Sequence, residues 1–176
     1  MSFSSTLRAA GTLALWILLS VGLAACEFRP LYGQHGPNGV STYDELGAVQ
    51  IVPLTDRTGQ QLHNFLRDRF NPLGQPRSPR YFLEVTLRES TRELALLEDE
   101  SATRADLKLS ATFVLRRSGS QDELFSGTSR STNSYNILNT QFATQVSEQD
   151  ARERGLREVA EEIRAQIALF LSRRGS

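Results

Sequence analysis

Between residues 81 and 115 apolar and polar residues alternate with a period of two. Leu83, Val85 and Leu87 are interleaved with Glu84, Thr86 and Arg88. Leu107, Leu109, Ala111, Phe113 and Leu115 are interleaved with Asp106, Lys108, Ser110 and Thr112. Successive side chains of a strand point to opposite faces, so each run predicts a strand with one covered and one wet face. The acidic run 98–101 reads as the turn between them, and 116–120 as the next turn. A third consecutive antiparallel strand is expected from Leu124 to about Tyr135. Residues 129–139 lack apolar periodicity and read as ragged strand or loop. Upstream, 47–54 is β-branched and apolar and predicts a further strand, with Pro53 at its end or on an edge.

Two stretches switch to helical spacing. Leu62, Phe65, Leu66 and Phe70 fall on one helix face. Asp56 and Arg57 precede it in a cluster of capping residues, and a capping and loop-pinning role suits a carboxylate at a helix N-terminus. Asn71, Pro72 and Gly74 stop the helix. The segment 147–150 resembles a capping box with Asp in place of Glu. From it a second helix is expected, with Leu156, Val159, Ala160, Ile163, Ile167, Phe170 and Leu171 on one face up to Arg173. The order β-α-β-β-β-α gives an α+β fold, a two-layer sandwich. A small, mostly antiparallel four-stranded sheet carries both helices on one face. The other face stays polar, with Glu84, Thr86, Arg88, Asp106, Lys108, Ser110 and Thr112, and suits solvent or a hydrated partner.

The N-terminus has a different character. Arg8 precedes a fifteen-residue apolar run, 11–25, which ends Leu23-Ala24-Ala25-Cys26. A bilayer span needs about 20 apolar residues, so the run fits the apolar region of a signal peptide instead. Cys26 is the single cysteine of the chain. Leu-Ala-Ala-Cys resembles the lipobox of bacterial lipoproteins, which implies diacylglycerol on the Cys26 thiol, cleavage before it and acylation of the new amino terminus. The organisation expected is a removed signal peptide, 1–25, a lipidated N-terminus and linker, 26–46, and one α+β domain, 47–176. Glu27 follows the cysteine where Asp would favour inner-membrane retention in well-studied envelopes, so it leans towards the outer membrane.

Composition narrows the chemistry. Twenty basic and twenty acidic residues give zero formal charge, against a nucleic-acid partner bound by bulk charge. One cysteine leaves no internal disulfide, and two histidines leave little for metal or relay chemistry. No Gly-rich phosphate loop, nucleophile elbow or His-Glu-x-x-His occurs. His63 reads as a surface residue of the first helix, and no cofactor or metal is expected. Nineteen of the twenty basic residues are arginine. Arginine grips phosphate in bidentate fashion. Arg77, Arg80, Arg116 and Arg117, in loops near the sheet ends, are therefore candidate contacts with anionic lipid.

Two segments resemble the LPS-assembly lipoprotein family. Cys26 is followed by Phe28-Arg29-Pro30-Leu31-Tyr32-Gly33, similar to the start of its α-proteobacterial branch with Glu27 in place of Gly. Residues 51–70 look like its strand–Asp-Arg–helix segment. The resemblance implies a non-enzymatic outer-membrane lipoprotein. It would partner and plug the LPS-transport β-barrel, assist its assembly and bind lipopolysaccharide, with its acyl anchor in the membrane. Of the family's functional residues only Cys26 carries over, and under the resemblance the anionic lipid offered to Arg77, Arg80, Arg116 and Arg117 is lipopolysaccharide. An auxiliary lipoprotein of an ABC-type envelope lipid transporter is the alternative, and a lipid-anchored hydrolase is disfavoured by the missing nucleophile–base pair.

Overall fold

A computed structural model of the chain describes residues 42–94, 103–120, 122–138 and 140–174. Cys26 and the acidic turn at 98–101 lie outside the described residues. The elements are α1 (Thr42–Gly47), β1 (Val49–Ile51), α2 (Arg57–Phe70), β2 (Tyr81–Leu94), β3 (Thr103–Arg117), β4 (Glu123–Ile137) and α3 (Gln141–Arg174). The sheet order is β1-β2-β3-β4. β1 runs parallel to β2, joined through α2, and the other pairs are antiparallel. The expected α+β sandwich is present, with one parallel pair and with three helices instead of two.

The strongest alternation in the sequence belongs to the central strand. Ala105, Leu107, Leu109, Ala111, Phe113 and Leu115 of β3 are all buried. Leu109, Ala111, Phe113 and Leu115 share a core with Leu62, Leu66 and Phe70 of α2 and Leu156, Ile163 and Ile167 of α3, so both helices lie over one face. A smaller cluster at the other end of the sheet joins Ala105, Leu107, Tyr135 and Ala151. α1, at the end of the segment read as linker, adds Leu46 to the main core.

α3 is 34 residues long, about 50 Å at 1.5 Å per residue. That matches the 15-residue strands β3 and β4 at about 3.4 Å per residue. Glycines let the two layers approach. A Cβ on Gly155 of α3 would stand 2.8 Å from Leu109 Cδ1, and one on Gly127 of β4 would stand 2.6 Å from Gln166 Oε1 of α3. Asn71, which ends α2, is buried and donates its amide to the carbonyls of Gly47 and Val49 at 3.1 Å each. It ties the helix end to β1.

Two boundaries differ from expectation. α3 begins at Gln141, so the supposed capping box at 147–150 lies inside the helix. Its acids act along the helix: Glu148 pairs with Arg152 and Asp150 with Arg154. The first turn is held by threonines instead. Thr140 Oγ1 accepts from Ala143 N at 3.4 Å, and Thr144 Oγ1 accepts from Leu138 N at 2.9 Å. Phe142 and Val146, in this added stretch, are exposed, so no buried stripe announced it.

β4 is a regular strand through Ile137. Its inward positions Ser129, Ser131 and Asn133 are polar because carboxylates of α3 answer them. Ser129 Oγ donates to Glu162 and Ser131 Oγ to Glu158, each at 2.5 Å. Asn133 donates to Ser131 Oγ at 2.7 Å.

Ile163 is fully buried at the centre of the main core. Ile163→Asp should lower stability by about 3 kcal/mol or more, because the carboxylate has no partner there. Chemical denaturation checks this. A variant with the wild-type midpoint would mean that α3 does not cover this face.

Candidate functional site

The loop arginines are placed by the β2–β3 ladder. Tyr81 is in register with Arg117 and Phe82 with Arg116, so the start of β2 and the end of β3 form one end of the sheet. Arg80 stands just before β2. Its N–H donates to the Ala48 carbonyl at 3.0 Å, and its own carbonyl accepts from Ser118 N at 2.9 Å. The chain thus brings Arg80, Arg116 and Arg117 together, while Arg77 is exposed in the preceding loop.

Among the described residues, two of the four hold internal partners. Arg80 pairs with Glu45 of α1 at 2.7 Å, and Tyr81 Oη donates to the other oxygen of that carboxylate at 2.7 Å. Burial, then the bond to Glu45, raises the Tyr81 phenol above its ordinary pKa. The three groups fasten α1 to the sheet. Arg116 faces Glu84 at 3.5 Å on the open sheet face. Arg116 and Arg117 line a shallow depression of about 380 Å³ with Phe82, Glu84, Gly119 and Ser120. Gly119 takes φ +79° in the turn that closes it. This end can hold a small anion, at Arg117 above all, but its charges are partly matched by carboxylates.

Asp56 does what its position suggests. Its carboxylate accepts from Gly59 N at 2.7 Å and caps α2. Arg57, on the first turn, lines a polar hollow of about 370 Å³ between α2 and α3 that also includes Arg152. His63 is half-buried rather than on the surface, and its Nε2 is buried with no hydrogen-bond partner.

Arg152 was not singled out by sequence, yet it fastens α3 to β2. Its Nε donates to both Glu89 oxygens at 3.0 and 3.1 Å, and it also pairs with Glu148. The hydrogen bonds to Glu89, ahead of that to Glu148, hold its proton more tightly than usual. The signal was legible only as an i, i+4 pair on α3; the Glu89 partner lies 63 residues away.

Among the described residues no group of three or more His, Cys, Asp or Glu could hold a metal ion, and no helix is long and apolar enough to cross a membrane. Fold and site together define a two-layer α+β body whose distinctive groups are arginines and hydroxyls on its surfaces. The chain belongs to the LptE family, Lipopolysaccharide-assembly, whose sequence model matches residues 46–168.

Solved structures share the fold. A candidate lipoprotein from Caulobacter crescentus CB15 is 20% identical, with a TM-score of 0.62 over 74% of this chain and 95% of that one. A minor lipoprotein from Acinetobacter baumannii is 21% identical, with a TM-score of 0.51 over 69% of this chain and 88% of that one. No curated protein sequence matches the chain.

The split among the arginines is measurable. Arg80→Ala should lower stability by about 0.5 kcal/mol, the scale of a half-exposed ion pair, while Arg117→Ala should leave it unchanged. Thermal melts of the two variants check this. Equal losses would show that Arg80 does not clamp α1.

Proposed function

We propose that this protein is an outer-membrane lipoprotein that partners and plugs the LPS-transport β-barrel, assists its assembly and binds lipopolysaccharide on its way to the cell surface. The observation that carries the reading is the family match, which spans the whole sheet and most of α3. The geometry supports it. A body about 50 Å long, with one helix running the length of the sheet, is a stiff object of the kind that can fill a wide barrel lumen. Large barrels otherwise enclose an open channel.

Cys26 carries the anchor in this proposal. Residues 1–25 are removed, and the cysteine bears acyl chains on its sulfur and amino terminus. More than one chain is needed for durable attachment, since each buried methylene contributes about 0.8 kcal/mol and a single chain holds only marginally. The protein turns over no substrate and uses no cofactor; it works by occupying space and by touching lipid. Arg77 and Arg117 remain candidate lipopolysaccharide contacts, with Arg80 and Arg116 beside them and shared with Glu45 and Glu84.

One experiment tests anchor and partner together. The chain is expressed in its own membrane, extracted in mild detergent and purified with whatever accompanies it. Its intact mass should equal residues 26–176 plus acyl groups, and the accompanying protein should be an outer-membrane β-barrel. Cys26→Ala should lose the membrane fraction. Cleavage elsewhere with a free thiol would remove the anchor, and an accompanying inner-membrane ATPase complex would replace the export role with lipid import.

A further inference from the structure

The sheet face turned away from the helices has an ordered chemistry that appears only once the register is known. Even-numbered residues of β2, β3 and β4 stand on it, because the odd-numbered ones of β3 are buried under the helices. In its middle, Thr86, Thr112 and Thr128 form one row across the three strands. Arg88, Ser110 and Arg130 form the next, and Ser90, Lys108 and Thr132 the third. Every position of this grid is a cation or a hydroxyl. Lys108 is also the one lysine of the chain.

We infer that this grid is a binding site for the phosphorylated saccharide headgroup of a glycolipid. Arg88, Lys108 and Arg130 would take the phosphate, and the surrounding hydroxyls the sugar. The inference rests on the lipopolysaccharide-binding part of the function proposed above and places the principal phosphate contact on the open face, ahead of the loop arginines.

Three observations support it. The first is proximity. Arg88 and Arg130 are two strands apart, about 10 Å between backbones, and Lys108 is one same-face step, about 7 Å, from the row that joins them. Three long side chains at that spacing can converge on one anion, and a shallow depression of about 440 Å³ lies over them. The second is availability. Arg88, Lys108 and Arg130 are exposed and form no ion pair with a described residue, unlike Arg80, Arg116 and Arg152. Of the carboxylates on this face, Glu84 is paired with Arg116, and Asp106, which accepts from the Ser134 hydroxyl at 2.7 Å, stands one row beyond Lys108. The chain has zero formal charge, yet three cations stand in two adjacent rows here, with no carboxylate within those rows.

The third observation chooses between occupants. An acidic protein surface would also be attracted, but tight protein interfaces are built on apolar and aromatic anchors. The grid offers none. Hydroxyls interspersed with guanidinium groups match a ligand that is itself made of hydroxyls and phosphates, since Arg binds phosphate through paired N–H donors.

The test uses the full chain in detergent and purified lipopolysaccharide as the probe, intact and enzymatically dephosphorylated, with inorganic phosphate alone as a third arm. R88Q/K108Q/R130Q should bind intact lipopolysaccharide about tenfold more weakly than wild type, with an unchanged melting temperature, because all three residues are exposed. Wild-type binding should weaken with added salt and with dephosphorylation, and inorganic phosphate should bind far more weakly than the glycolipid. R77Q/R80Q/R116Q/R117Q, which removes the loop candidates, should lose less affinity than the triple variant.

A triple variant that binds like wild type, or a loss confined to the loop variant, would overturn the site and leave the lipopolysaccharide-binding function standing. Equal binding of the dephosphorylated probe would overturn the phosphate contact. Inorganic phosphate bound as tightly as the glycolipid would overturn the saccharide contact. A wild-type chain that binds no lipopolysaccharide at all would remove that part of the proposed function together with the site.

Discussion

Everything else in this molecule is arranged around the seam where α3 lies on β3 and β4. A helix of 34 residues has far more length than an isolated helix needs, and its stability comes from the surface it covers. The seam is of two kinds along that length. Over β3 it is apolar, with Leu156, Ile163 and Ile167 sharing a core with Leu109 and Phe113. Over the middle of β4 it is polar, with the hydroxyls of Ser129 and Ser131 closed by Glu162 and Glu158. Gly127 and Gly155 permit the approach, since a side chain at either would meet the opposite layer. Arg152 extends the fastening across to β2.

Fixing one face in this way determines the chemistry of the other. Alternation along a strand is strict, so once Leu107, Leu109 and Ala111 are committed to the core, Lys108, Ser110 and Thr112 must face outward. The register then brings residues from three distant parts of the chain into adjacent rows. Many of the carboxylates lie on the helical side, where they pair with arginines such as Arg69, Arg152 and Arg157. The middle rows of the open face keep cations and hydroxyls, with Glu84 and Asp106 on either side of them. A chain with no net charge thereby presents one surface suited to anions.

The strands and α2 were legible because their signals are local. Period-two alternation in β2 and β3, the 62–70 stripe and the Asp56 cap each depend on residues close in sequence. β4 was harder to read past residue 128, because its inward serines are satisfied by glutamates about thirty residues downstream. The start of α3 was missed for the opposite reason. Its first turns expose Phe142 and Val146, and its capping threonines precede the segment whose charges imitated a cap. Among the candidate contacts, sequence could place Arg80 and Arg116 near sheet ends. It could not show Glu45 or Glu84 waiting for them, since ion pairs of that separation depend on the strand register. Arg130 went unnoticed as a functional candidate, because its neighbours Arg88 and Lys108 are adjacent only in the folded sheet.

The account rests on this body working against an outer-membrane β-barrel, and contact in the living cell tests that most directly. A photo-crosslinking amino acid placed at Leu73, which is 93% exposed, and in a second strain at Phe142, 77% exposed, samples two separate parts of the surface without disturbing the core. Illumination of growing cells should yield adducts of the chain with an outer-membrane β-barrel from at least one of the two positions. Adducts from both positions formed only with components of an inner-membrane transport complex would contradict it.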